Sequence, residues 1–171
     1  MISKKMTDAI NDQITAELFS SYLYLSMSAH FDGVNLKGFA NWLRVQYQEE
    51  TFHALKFYDY VLSRQGKVVM KAIDAPPVKW KNPIEAFEAV CKHEQMITGR
   101  IHKLAALAQA ENDFPSSVFL QWYITEQVEE EANADGILQR LKLAGDNAGG
   151  LFMIDTELAA RVYTPPAPPA E

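Results

Sequence analysis

Apolar residues along this chain recur in steps of three and four, over segments too long for strands. The first segment runs from about Lys4 to Phe31 and breaks at Asp32-Gly33, a turn pair. The second follows Asn35, which reads as its N-cap, and runs to about Arg64. There Gln65-Gly66 supplies a glycine for the C-terminal turn. The third opens on Asn82-Pro83, with Glu85 three residues after the cap, and runs to about Ala110. "ENDFP" closes that helix and opens a fourth, from about Pro115 to Leu143. After "AGDNAGG" a short fifth helix spans roughly Leu151 to Arg161. No alternating strand pattern competes with these periods, and no sequence repeat is present.

Connection lengths fix the topology. Turns of a few residues make antiparallel hairpins of the first two helices and of the next two. The link from Gly66 to Asn82 is far longer. Extended, it reaches up to about 56 Å at 3.3 Å per residue. A helix of this size is roughly 42 Å long at 1.5 Å per residue. The link can therefore run the length of the bundle and set helices two and three parallel. The expectation is an all-α four-helix bundle with one long crossover and a short fifth helix. It spans residues 1–164, with a flexible Pro/Ala-rich tail over 165–171.

The buried stripe of each helix follows from the same period. Helix one gives Ile10, Ile14, Glu17, Ser21, Tyr24, Ser28 and Phe31; helix two gives Phe39, Leu43, Gln46, Glu50, His53, Phe57 and Tyr60. Helix three gives Phe87, Val90, Glu94, Ile97, Ile101 and Leu104; helix four gives Leu120, Tyr123, Gln127, Glu130, Ala134, Leu138 and Leu141. Each stripe is apolar at its ends and carries acid near its middle. Helices of matched length put their midpoints at one height, so Glu17, Glu50, His53, Glu94, Gln127 and Glu130 converge on one layer.

Buried carboxylates without a counter-charge are too costly to stay ionised. No lysine or arginine lies on the stripes at that level. A divalent metal, most simply a pair of ions, meets the need. Glu17, Glu50 and His53 make one site with a nitrogen ligand. Glu94, Glu130 and a bridging Glu50 make a second of oxygen alone, which suits a hard ion held less firmly. Unequal sites point to metal in transit. Glu49, Glu126 and Glu129 adjoin the layer as a further acidic cluster, for which a solvated face is the competing reading.

Bulk properties narrow the function further. With a formal charge of -6, the chain favours cations and disfavours nucleic acid. The single cysteine, Cys91, precludes an internal disulfide and suits a reducing, cytoplasmic setting. The start turns polar too early for a secretion signal, and no stretch approaches a membrane span.

These stretches together carry a family resemblance: "ITAELFSSYLYLSMS", "QEETFHALKFYDYV", "HEQMIT", "FLQWYITEQVEEE" and "GGLFMIDTELAAR". The chain resembles the bacterial non-haem ferritins over nearly its full length. That resemblance implies a homo-oligomeric shell of 24 subunits. It implies oxidation of Fe(II) to Fe(III) by dioxygen or peroxide at a two-iron ferroxidase centre, and a stored ferric mineral. On this likeness Glu17, Glu50 and His53 match the first iron site; Glu94 and Glu130, sharing Glu50, match the second; Gln127 lies beside it. Glu49, Glu126, Glu129 and Glu130 match a third site, Tyr24 matches the tyrosine given an electron-transfer role, and the fifth helix lines the four-fold pores. Neighbouring families fit less well. Rubrerythrins need a Cys-x-x-Cys domain that one cysteine cannot supply. Bacterioferritin carries its haem-ligating methionine where this chain has Phe52, so no haem is expected. DNA-protecting mini-ferritins have a basic tail and lack the fifth helix. A di-metal peroxidase or catalase that stores nothing is the remaining alternative.

Overall fold

A computed structural model describes residues 1–165. In chain order the helices are α1 Lys4–Gly33, α2 Lys37–Ser63, α3 Pro83–Ala110, α4 Phe114–Ala144 and α5 Ala148–Leu158, with no strand among the described residues. Among the described residues no helix is long and apolar enough to cross a membrane. All but Pro165 of the tail expected over 165–171 lies outside the described residues.

Capping chemistry explains most helix starts. Ser3 Oγ accepts from the Met6 N–H at 3.0 Å, and Asn82 Oδ1 accepts from Glu85 N–H at 2.8 Å. Glu85 reaches back to the Lys81 N–H at 2.6 Å, one residue earlier than an ordinary capping box. Three expectations need correction. Asn35 is not the cap of α2: it sits at φ 63, and the Leu36 N–H after it returns to the Phe31 carbonyl at 3.0 Å. It therefore closes α1, and Leu36 opens α2 with no side-chain cap. At the end of α2 the left-handed residue is Gln65, φ 60, not Gly66. Gly66 is needed for space, since a Cβ there would come within 2.8 Å of Val61 Cγ1. The fifth helix also starts and ends three residues earlier than its pattern suggests, because Asn147 caps it through the Gly150 N–H at 2.9 Å.

Contacts at the ends of the helices set their directions. At one end Ile2 N–H donates to the Arg64 carbonyl at 3.3 Å, Ser3 Oγ donates to Glu111 at 2.5 Å, and Arg64 pairs with Asp113 at 3.0 Å. The starts of α1 and α4 thus meet the ends of α2 and α3. At the other end Phe39 stacks on Phe31 at 5.4 Å and meets Phe87 edge-on at 5.8 Å. So α2 and α3 are parallel, as the crossover length predicts. The crossover follows α1 throughout. Asn11 takes the Val69 N–H at 2.9 Å, Ser26 donates to the Pro77 carbonyl at 2.7 Å, and Trp80 packs on His30 at 5.3 Å.

The α5 helix closes the Phe39 end. Asp155 Oδ1 accepts from the Phe39 N–H at 3.0 Å, and Gly38 passes so close that a Cβ would lie 1.6 Å from the Asp155 carbonyl oxygen. The apolar core is not continuous. One cluster holds Phe31, Phe39, Leu43, Phe87 and Leu138 with Ile154 of α5; another holds Ile10, Ile14, Phe57, Ile101 and Tyr123. A buried polar layer separates them.

Candidate metal centre

Each long helix gives that layer one or two turns. Glu17 and Ser20 come from α1, Gln46, Glu50 and His53 from α2, His93 and Glu94 from α3, and Gln127 and Glu130 from α4; all are buried. Every stripe residue is buried except Tyr60, which is half-buried at the bundle end and exchanges a 2.8 Å hydrogen bond with Ser116.

Ligand atoms of Glu17, Glu50 and His53 all lie within 4.8 Å of one another. His53 Nδ1 is 3.5 Å from Glu50 Oε2. The backbone here is clamped, because Tyr123 OH donates to the His53 carbonyl at 2.8 Å and ties α4 to α2. Glu17 Oε1 accepts from Gln13 Nε2 at 2.8 Å, and Gln13 in turn accepts from Arg100 Nε at 3.0 Å. One amide thus separates the acid from the nearest guanidinium. Glu17 Oε2 and Glu50 Oε2 are buried with no hydrogen-bond partner. Buried oxygens without donors are expensive, and an ion among these three groups would satisfy both.

The oxygen-rich half is arranged differently. Glu94 accepts from Tyr24 OH and, at 3.3 Å, from Gln127 Nε2. Gln127 also reaches Thr98 Oγ1 at 3.2 Å. Glu130 Oε2 accepts from Gln46 Nε2 at 2.8 Å. A second group of close ligand atoms joins His53, Glu126 and Glu130, without Glu94. Glu94 is thus held by neighbours that must yield before it can bind an ion with Glu50 and Glu130.

Electrostatics agree with this geometry. Burial is the main cause of every shift in the layer. Glu17 is pushed up to about 7, and Glu50 and Glu130 are raised well above the ordinary carboxyl range, reinforced by the Glu94 charge nearby. Glu94 is raised too. Burial lowers His53 to about 3, with Lys56 adding to it, so its imidazole is neutral with a lone pair free for a metal. Acids that hold protons this firmly exchange them for a cation.

The outer acidic residues lie at the layer's edge. Glu126 is half-buried, with its carboxylate 4.0 Å from His53 Nε2, and Glu129 is exposed. Glu49 is not free: it accepts from Arg161 Nη2 at 2.7 Å. Several contributors were not legible as site residues. Gln13 stands one turn before Glu17, a spacing that brings the two side chains together on a helix. Lys56, whose Nζ sits 4.1 Å over the Trp122 ring, and Arg161 gave no local signal.

A four-helix bundle with one crossover and a carboxylate–imidazole layer at mid-height defines the di-metal carboxylate class. Known proteins narrow it. The family model for the ferritin-like domain matches residues 7–144. The bacterial non-heme ferritin of Bacteroides fragilis is 45% identical over 161 residues, covering 94% of this chain and 100% of that protein. That of Staphylococcus haemolyticus is 37% identical over 163 residues, 95% of this chain and 98% of the relative. Among solved structures, the open pore ferritin of the hyperthermophilic archaeon Archaeoglobus fulgidus superposes with a TM-score of 0.94 at 50% identity, covering 95% of this chain and 100% of that one. An engineered closed form of that ferritin gives 0.95 at 51%, covering 96% and 100%. The chain belongs to the ferritin family, and its function is iron storage with ferroxidase chemistry.

Proposed function

We propose that the central layer is a two-ion ferroxidase centre that feeds a mineral store inside a shell of 24 subunits, in the cytoplasm. Glu17, Glu50 and His53 hold the first Fe(II). Glu50 bridges to a second, completed by Glu94 and Glu130 with Gln127 alongside. A third ion passes through Glu49, Glu126, Glu129 and Glu130. Tyr24, hydrogen-bonded to Glu94, stands ready to lend an electron. The observation that supports this reading is the pair of partnerless buried oxygens, Glu17 Oε2 and Glu50 Oε2, beside a neutral His53.

Iron is the substrate here. Its arrival displaces the protons that burial keeps on Glu17 and Glu50. Two Fe(II) give up two electrons, and dioxygen takes both with two protons to form hydrogen peroxide; peroxide as oxidant gives two waters instead. Fe(III) is the stronger Lewis acid, so it deprotonates bound water and leaves as a hydroxide-bridged species for the cavity. Substituting Glu50→Ala or His53→Ala should remove most of the Fe(II) oxidation followed by stopped-flow absorbance after anaerobic loading. Undiminished rates in both variants would rule the centre out. Size-exclusion with light scattering should give a particle near 24 times the 19.3 kDa chain; a monomer or dimer at every concentration would count against storage.

A further inference from the structure

The chain beyond α5 does not simply leave the bundle. Asn41 Nδ2 donates to the carbonyls of Leu158 at 3.1 Å, Ala159 at 3.3 Å and Arg161 at 2.9 Å. This turns the segment back along α2. Arg161 then lies with its guanidinium 4.6 Å over the Trp42 ring, Nη1 at 3.4 Å from the Trp42 carbonyl and Nη2 at 2.7 Å from Glu49 Oε2. Both partners of the Glu49 pair are about one-fifth exposed, so water screens it only in part. A planar guanidinium set on an indole and bonded to a carboxylate is a pre-organised contact.

We propose that Arg161 is a positioning residue that holds Glu49 away from the outer acidic cluster, so that the third ion and the docked C-terminal segment compete for one carboxylate. This rests on the metal-centre reading above. Glu49 can ligate an ion beside Glu126, Glu129 and Glu130 only after Arg161 lets go. The group of close ligand atoms at this edge joins His53, Glu126 and Glu130 and leaves out the exposed Glu129 and also Glu49, which Arg161 holds. By linkage, an ion that takes Glu49 releases the Arg161 guanidinium from it and loosens the turn over 159–161, and removing Arg161 strengthens ion binding by the same factor. A part-buried, charge-assisted contact makes that factor about tenfold.

The test uses the assembled, metal-free protein and Zn(II), which does not change oxidation state. Calorimetric titration of the wild type gives tight sites at the centre and a weaker outer one. In Arg161→Gln the outer site tightens about tenfold and the central sites do not move. Arg161→Lys lies between the two, since an ammonium keeps the charge but not the fork. Hydrogen exchange over 159–161, whose amides bond to the carbonyls of Asp155, Glu157 and Leu158, quickens in the wild type only as the outer site fills, and in Glu49→Gln it is faster from the start and indifferent to zinc. If Arg161 merely supported the cluster, the outer site would weaken in Arg161→Gln, and the proposal would fall. It would fall equally if neither outer affinity nor exchange changed. Zinc binding nowhere in the wild type would instead defeat the metal-centre reading itself.

Discussion

Glu17 offers a quantitative test of the idea that the layer is held strained for a cation. Its carboxyl titrates at about 7 in the folded chain against 4.5 as a free group, with burial as the leading cause. Between those values the folded chain holds a proton that the unfolded chain has released. The stabilising effect of that proton is complete below about pH 4.5 and gone above about pH 7, so stability falls as pH rises. For one group with these constants, moving from about pH 5.5 to 7.5 costs about 2 kcal/mol. Glu17→Gln removes the titration and keeps an amide able to meet Gln13. For a chain of this size roughly 2–4 °C accompanies each kcal/mol. The wild type should therefore lose about 4–8 °C relative to Glu17→Gln over that interval, in metal-free protein followed by calorimetry. Comparing the two proteins cancels contributions from the shell and from surface acids. Saturating Zn(II) should abolish the difference, because the ion takes the proton's place. A wild type and variant whose melting temperatures move together between the two pH values would refute this account of Glu17.

Other outcomes follow from single contacts. Gly38→Ala drives a Cβ to 1.6 Å from the Asp155 carbonyl oxygen and so undocks α5, costing about 1–3 kcal/mol. Fast hydrogen exchange over 148–158 would show it, and unchanged protection would mean the helix shifts at no cost. Tyr24→Phe leaves the Glu94 oxygen without its hydroxyl donor. It should cost about 1–3 kcal/mol and slow Fe(II) oxidation while leaving anaerobic Zn(II) stoichiometry intact; equal rates would reduce Tyr24 to packing.

Much of the bundle was legible because a helix repeats. Once the period is known, Glu17, Glu50, Glu94 and Glu130 must fall on inward faces at similar heights, and a long link after a short one forces the crossover. Local chemistry that competes with a neighbour was harder to see. Asn35 looked like a cap because asparagine favours that role, but it tolerates the left-handed conformation equally well, and the chain uses it there. Gln65 takes the same conformation against its type, while the glycine stands at 66, where close packing on Val61 leaves no room for a Cβ. The early start of α5 followed from Asn147, hidden between glycines that read as loop. In the site, periodicity placed the acids but not their hydrogen bonds. That Tyr24 and Gln127 engage Glu94, or that Arg161 reaches back to Glu49, depends on three-dimensional proximity that no spacing along the chain encodes.

The central claim is that acids from separate helices meet at mid-height in order to hold paired ions. Anomalous diffraction from crystals soaked anaerobically with Fe(II) tests it most directly. The account predicts one peak among Glu17, Glu50 and His53 and a second between Glu50, Glu94 and Glu130, with Glu94 drawn off Tyr24. Iron only on exposed carboxylates, with the layer unchanged and empty, would contradict it.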